Sequence, residues 1–520
     1  MSGTSSETWQ REDFVSLNDV TAVIDSRFEA GDYAGVAELL SDRMMEAWFG
    51  GRPEHLLSRL GALERELGEL PPMLRAIQLM ARPVDNSAIE LNEPVDLDAV
   101  LSSAEDPAYR SLATAAVLFG LRMQGRPVEA WRLGIQLAGK RDPLQPLFDR
   151  HRGWVLFGQV QMGLSTMLAG RFNEALGLFA EAQLHVTVPT LPFLTRDAYV
   201  KAAVIQSSFG DTGVARSLLE IADRIPRTDS WAEDAVDASA SIVRALIADA
   251  TPRETLAELD AIPLHHVGEM WPFYVHAIQQ ACERADARLE ALERLKRFEA
   301  TALPRVVGQG YSGSVIQGSL AANFVMLGNT AAARDALELA DPDLPTTQIV
   351  WGMLFLTTGR PDLAVQHARR AGAGSKGLRQ LELWRLSLLS NAFLQMNDAD
   401  GCVEAARNAL ALPGGLDPED MPLFARDVRR LAAAELEGWP DEPETESPHV
   451  DELRIAAGAL SARETQVLRL LVAGRSREQI AKELFLSENT VKTHQRSVYR
   501  KLGVSSKGAA LVEAERRGLI

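Results

Sequence analysis

One short phrase recurs along this 520-residue chain and limits what it can fold into. It consists of an apolar helix end, a Gly- or Asp-containing turn, and an Ala-rich amphipathic helix. The clearest copies are GRPVEAWRLGIQLA from Gly125, GRFNEALGLFAEA from Gly170, GDTGVARSLLEIA from Gly210, GNTAAARDALELA from Gly328, GRPDLAVQHARRA from Gly359 and NDADGCVEAARNAL from Asn397. Weaker echoes begin near Gly31, Ala250 and Ala285. From Gly125 onward the turns fall about 31 to 45 residues apart, mostly near 40, which is the period of a two-helix unit. Gly ends the first helix in the left-handed conformation. Five residues later a small side chain recurs (Ala130, Ala175, Ala215, Ala333, Ala364, Cys402), so the second helix can approach the first closely. One such pair cannot bury its apolar face alone, so neighbours are expected to stack into a solenoid with a concave surface. Strand and hairpin signals are almost absent.

The phrase resembles the tetratricopeptide repeat, with longer and less regular spacing. The expected domains are a flexible N-terminal tail over 1–14, a helical-repeat sensor or interaction domain over 15–437, an acidic Pro-rich linker over 438–450 and a compact domain over 451–520. The linker, GWPDEPETESPHV, holds three prolines and four acidic side chains and no apolar periodicity.

Charge divides the same way. The net charge of −17 would argue against nucleic acid, yet residues 451–520 hold 13 Lys plus Arg against 8 Asp plus Glu, or +5. The remainder holds 41 basic and 63 acidic residues, or −22. A basic end on an acidic body is the asymmetry of a nucleic-acid reader joined to something else. Composition also sets limits. There is no apolar run of 18 residues and no apolar leader after the polar start, so neither a membrane span nor secretion is expected. Two distant cysteines, Cys282 and Cys402, fit a reducing cytoplasm and exclude a disulfide framework.

Within the C-terminal segment, Glu464, Val467, Leu468 and Leu471 share one helix face, closed by Gly474. Ser476 and Gln479 form a capping box ahead of Ile480 and Leu484. Ser487 is the expected N-cap of a third helix running to about Leu502, with Glu488 in its first turn. Val491, Val498, Leu502 and His494 are expected to point inward. Asn489, Lys492, Thr493, Arg496 and Arg500 share the outer face. A polar, basic stripe on a short helix after a tight turn suits the major groove. Ser505 is expected to cap a fourth helix.

The stretch from Leu460 to Val504 resembles the LuxR-type helix-turn-helix of bacterial transcription regulators, and the repeat region more loosely resembles the large regulators of that family. The fold class implied is all-α, a tetratricopeptide-like solenoid followed by a four-helix reader. The resemblance puts Lys492, Thr493 and Arg496 nearest base edges, with Ser487, Thr490, Arg500 and Lys501 at phosphates and Asn489 on the same face. Gln479 departs from the Glu usual there but can still complete the capping box. The implied partners are double-stranded DNA with an inverted-repeat operator, a second copy of the chain on DNA, RNA polymerase, and an unidentified small-molecule or protein effector on the repeats. No cofactor, metal or enzyme activity is expected. An interaction scaffold and a sigma-factor-like subunit are the rival readings.

Three other motifs carry less. Gly308–Gly313 matches GxGxxG but follows no strand, so a loop is expected. Gly374-Ser375-Lys376 is read as a Gly-rich connector without phosphate-loop spacing. His265, His266 and His276 near Glu269 are read as packing beside Trp271, the two adjacent rings on different sides of a helix.

Overall fold

The computed structural model describes residues 17–71, 74–75, 77–78, 107–138, 153–184, 191–441, 462–484, 486, 488–502, 504 and 506–516. Among them the regular elements are helices, with no strand. The expected tail and most of the expected linker lie outside the described residues.

The described residues fall into two compact units. The first runs to Ile316 and adds 340–344 and 376–380; the second comprises 317–339, 345–375 and the chain from Leu381. The helices are α1 (Leu17–Glu29), α2 (Tyr33–Asp42), α3 (Met44–Gly50), α4 (Pro53–Leu67), α5 (Pro107–Met123), α6 (Pro127–Ala138), α7 (Trp154–Leu168) and α8 (Phe172–Gln183). They continue as α9 (Pro192–Phe209), α10 (Thr212–Arg224), α11 (Glu233–Ile247), α12 (Pro252–Asp260), α13 (Leu264–Val267), α14 (Trp271–Arg284) and α15 (Arg288–Ala300). Next come α16 (Val315–Met326), α17 (Thr330–Glu338), α18 (Pro345–Thr357), α19 (Pro361–Ser375), α20 (Arg379–Gln395), α21 (Ala399–Leu410) and α22 (Arg426–Glu435).

The repeated phrase is a helix C-cap followed directly by an N-cap. Gly125, Gly170, Gly328, Gly359 and Asn397 have φ of 74°, 83°, 71°, 72° and 59°. The next amide reaches back to the fifth residue before it, as Arg126 N to Leu121 O at 2.9 Å and Arg360 N to Phe355 O at 2.8 Å, which closes the helix end. Where the residue after the turn is Asp or Asn, its side chain caps the second helix; Arg171 after Gly170 makes no such bond. Asp32, Asn329 and Asp398 accept the amides of Gly35, Ala332 and Gly401. All six small residues five positions on are buried.

Gly210 departs from this scheme. Its φ of −108° is not left-handed. The Gln206 side chain bends over the turn instead, its Oε1 accepting the Asp211 amide at 3.0 Å. A Cβ on Gly210 would lie 1.9 Å from that oxygen, so any side chain here would displace the Gln206 amide from the turn.

Within the first unit the helices are buried unequally. Every residue of α7 except Gln161 is buried, and so is all of α9 except Tyr199 and Gln206. By contrast α10 buries only Ala215, Leu219 and Ala222. The inner helices are therefore covered on all sides. Part of the covering is residues 301–314, which return to the turns near Gly125 and Gly170. Val306 N donates to Gly125 O at 3.0 Å and Tyr311 N to Leu168 O at 2.9 Å. The Tyr311 ring packs among Phe172, Phe209 and Phe273 at 5.0 to 5.6 Å.

This return explains the GxGxxG match. It is a loop, as expected, and its glycines meet backbone demands: Gly308 and Gly310 have φ of 80° and 62°. A Cβ on Gly313 would lie 2.1 Å from Val306 O. The stretch from Gly374, by contrast, is not a connector. Gly374 and Ser375 end α19, and buried Ser375 donates to Glu382 Oε1 at 2.5 Å. In the second unit, Trp439 packs on Phe424 at 5.2 Å although it is the second residue of the stretch read as linker.

The histidines separate. Only His276 leaves the group: His265 and His266, expected on different sides of a helix, instead lie with their rings in edge contact, 4.2 Å apart. Glu269 is held by the Arg122 guanidinium, Nε to Oε1 at 2.7 Å. His276 packs on Phe209 at 4.7 Å, and its Nε2 lies 3.0 Å from the Gln280 amide nitrogen. That nitrogen can only donate, so the ring nitrogen facing it accepts. Burial pulls the His276 imidazole down to about 4, whereas an unfolded histidine titrates near ~6.5. Between those values the unfolded chain binds the extra proton, so the His276 contribution is complete above ~6.5 and is lost as pH falls toward 4. The loss should amount to roughly 3 kcal/mol. Thermal unfolding of the wild type and His276→Gln at several pH values should show a shallower pH slope in the variant; parallel slopes would refute this.

Candidate nucleic-acid interface

The C-terminal site rests on four helices: α23 (Ala462–Val472), α24 (Arg477–Glu483), α25 (Glu488–Leu502) and α26 (Lys507–Arg516). Two small cores fix them. Val467 and Leu471 of α23 pack with Ile480 and Ala481 of α24 and Val491 of α25. Leu468 of α23 packs with Val498 and Leu502 of α25 and with Ala510 and Ala514 of α26. The two cores use neighbouring faces of α23, so one helix orients the other three.

The turns follow from local chemistry. Gly474 has φ 77° and closes α23, with Arg475 N donating to Leu470 O at 3.0 Å. The capping box is formed as expected. Ser476 Oγ accepts the Gln479 amide at 3.2 Å and Gln479 Oε1 accepts the Ser476 amide at 2.9 Å. Gln thus serves where Glu is usual. Ser505 lies outside the described residues. Ser506 Oγ accepts the Ala509 amide at 3.2 Å at the head of α26.

One buried polar residue was not anticipated. Val491, Val498 and Leu502 are buried as expected, but the deep position between them belongs to Gln495, 8% exposed, and His494 is only half-buried. Gln495 Oε1 accepts from Arg477 Nε at 2.8 Å, and its amide nitrogen donates to Tyr499 Oη at 2.6 Å. This chain ties the second helix to the third. Spacing offered the clue, since Val491, Gln495, Val498 and Leu502 follow i, i+4, i+7, i+11, which is an inward stripe.

On the opposite side of α25, Lys492, Thr493 and Arg496 are exposed and within one turn of each other. Among the described residues, Lys492 and Arg496 have no ion-pair partner. Thr490 is half-buried beside them. Asn489, Arg500 and Lys501 lie on α25 by backbone, and Ser487 lies outside the described residues. The arrangement is a rigid helix, anchored along one side, that presents two unneutralised cations and a hydroxyl on the other.

Residues 458–514 match the sequence model of the luxR family of bacterial regulatory proteins. The probable transcriptional regulatory protein NarL of Mycobacterium tuberculosis, from two strains, is 48% identical over 64 residues. That match covers 12% of this chain and 30% of the relative's length. Among solved structures, a chain of the APC/C hetero-tetramer Cut9-Hcn1 aligns with 83% of this chain and 82% of its own, at 14% identity and a TM-score of 0.44. The C-terminal segment is thus a LuxR-family helix-turn-helix domain, joined to a helical-repeat region that the curated relative's matched portion does not include.

Proposed function

We propose that the protein is a sequence-specific transcription regulator that reads double-stranded DNA through α25. The observation carrying this reading is the two-sided α25: Val491, Gln495 and Val498 bury one face, while Lys492, Thr493 and Arg496 stand exposed on the other. A helix of 15 residues with that polarity fits a major groove about 12 Å wide. Lys492, Thr493 and Arg496 read base edges, with Asn489 beside them. Ser487, Thr490, Arg500 and Lys501 fix the register at phosphates. Binding depends on salt because each neutralised phosphate releases counterions.

The chain works as a dimer on an inverted repeat, in the cytoplasm and beside RNA polymerase. The helical-repeat region, 15–437, receives a small-molecule or protein signal, and 438–450 links it to the reader at 451–520. The +5 charge of 451–520 and the −22 of the rest support separate tasks for the two parts. The NarL relative supports the DNA-reading half alone. Genome-wide DNA selection with the purified full-length protein tests this. Enrichment of one inverted-repeat motif is expected, and salt-sensitive recovery without any motif would reject it.

A further inference from the structure

In the first unit, α1, the α3–α4 junction and the turn before α11 line an open surface cavity of about 510 Å³. That volume lies within the range of roughly 300–1,000 Å³ typical of small-molecule sites. Its lining includes Thr21, Gly50, Gly51, Arg52 and Trp231.

The Trp231 ring is braced from behind. Its Nε1 donates to Trp48 O at 2.9 Å, and the ring stacks on Phe49 with centroids 5.9 Å apart and planes 24° from parallel. It is nonetheless 39% exposed. A flat apolar surface is therefore held in place at the cavity without having to be ordered by a ligand. Gly50 and Gly51 leave the wall beside it without side chains; at Gly50 a Cβ would lie 2.4 Å from Leu17 O, so the close approach to α1 requires glycine.

The polar groups are unequally committed. His55 and Arg59 both face Asp25, Arg59 at 3.1 Å and His55 at 3.7 Å. Asp229, also in the lining, accepts the Leu17 amide at 3.2 Å. Arg52 is exposed, makes no cap bond to α4, and has no ion-pair partner among the described residues. It stands at the positive end of the α4 dipole.

We propose that this cavity binds a small aromatic carboxylic acid, with its ring on Trp231 and its carboxylate at Arg52. A single uncommitted cation suits a monoanion. Asp25 and Asp229 nearby oppose a dianion such as phosphate, since like charges at close range repel. The inference gives a ligand class and a site to the sensory half of the proposed function and rests on that half of the reading.

The test is calorimetric titration of full-length protein, without DNA, using benzoate, 4-hydroxybenzoate and indole-3-acetate. The wild type and Arg52→Gln are compared, with Trp231→Leu as a further variant and melting temperatures to confirm folding. Saturable one-site binding of at least one acid is expected, weakened about tenfold or more by Arg52→Gln because a charge-assisted contact is lost. No saturable binding to the wild type, or equal binding by Arg52→Gln, overturns the proposal. Failure here with DNA motif enrichment intact rejects the cavity and leaves the reader standing. Acid binding without motif enrichment upholds the cavity and rejects the reader.

Discussion

Lys492→Ala/Arg496→Ala is expected to abolish motif enrichment in DNA selection while leaving the helical content of the protein unchanged. Both side chains are exposed on α25, opposite Val491 and Val498, so their removal touches neither small core. A good bidentate contact to a base is worth roughly 1–3 kcal/mol of discrimination. Losing two per reader, and four in a dimer, should erase most of a typical preference for specific over random sequence, which spans about 4–10 kcal/mol. Residual binding should remain, because Arg500 and Lys501 are left to meet phosphates, and it should weaken steeply with salt. Gel-shift titrations on the selected site and on a scrambled duplex, each at two salt concentrations, separate these effects. If the double variant keeps the wild-type ratio of specific to scrambled affinity, α25 does not read sequence through these two residues.

What could be read from the sequence was mostly local. The Schellman-type turns at Gly125, Gly170, Gly328, Gly359 and Asn397 involve neighbours within six residues, so their chemistry is visible in the phrase itself. The Ser476–Gln479 capping box is local for the same reason. Gly210 defeated the pattern because a side chain one turn earlier, Gln206, took over the task of closing the helix. Gln495 was missed because polar residues are assigned outward by default, whereas here Arg477, 18 residues away in sequence, satisfies its oxygen. The exposed stripe was legible because charge on a helix face needs no partner to be recognised.

Long-range features left little trace. Tyr311 reads as an ordinary loop tyrosine until Phe172, Phe209 and Phe273 surround it. The return of residues 301–314 to the turns near Gly125 and Gly170 is a tertiary choice no repeat period encodes. The cavity beside Trp231 likewise joins residues 21–55 to 229–231, two stretches with no shared motif.

Replacing Arg196 with Ala should cause the largest loss of stability in the repeat region. Arg196 on α9 is 4% exposed and donates Nη1 to Glu233 at 2.5 Å and Nη2 to Asp237, both on α11. Glu233, itself 2% exposed, also accepts the Thr228 amide at 2.6 Å, so the pair fixes the turn that leads into α11 as well as the α9–α11 packing. Removing the guanidinium leaves a buried carboxylate facing a cavity, and breaking one partner of a buried pair costs about 3–5 kcal/mol. The cost comes from the uncompensated charge more than from lost attraction. Arg196→Met/Glu233→Leu should therefore be more stable than Arg196→Ala, although it discards the ion pair altogether. Partial rescue only is expected, because Glu233 also serves Thr228 and Asp237 retains Arg227 at 2.6 Å. Thermal melts followed by near-ultraviolet dichroism, which the tryptophan at position 231 reports beside this turn, decide the matter. If Arg196→Ala melts within a degree or two of the wild type, the α9–α11 contact is held by its apolar residues, and the buried charges add no net stability.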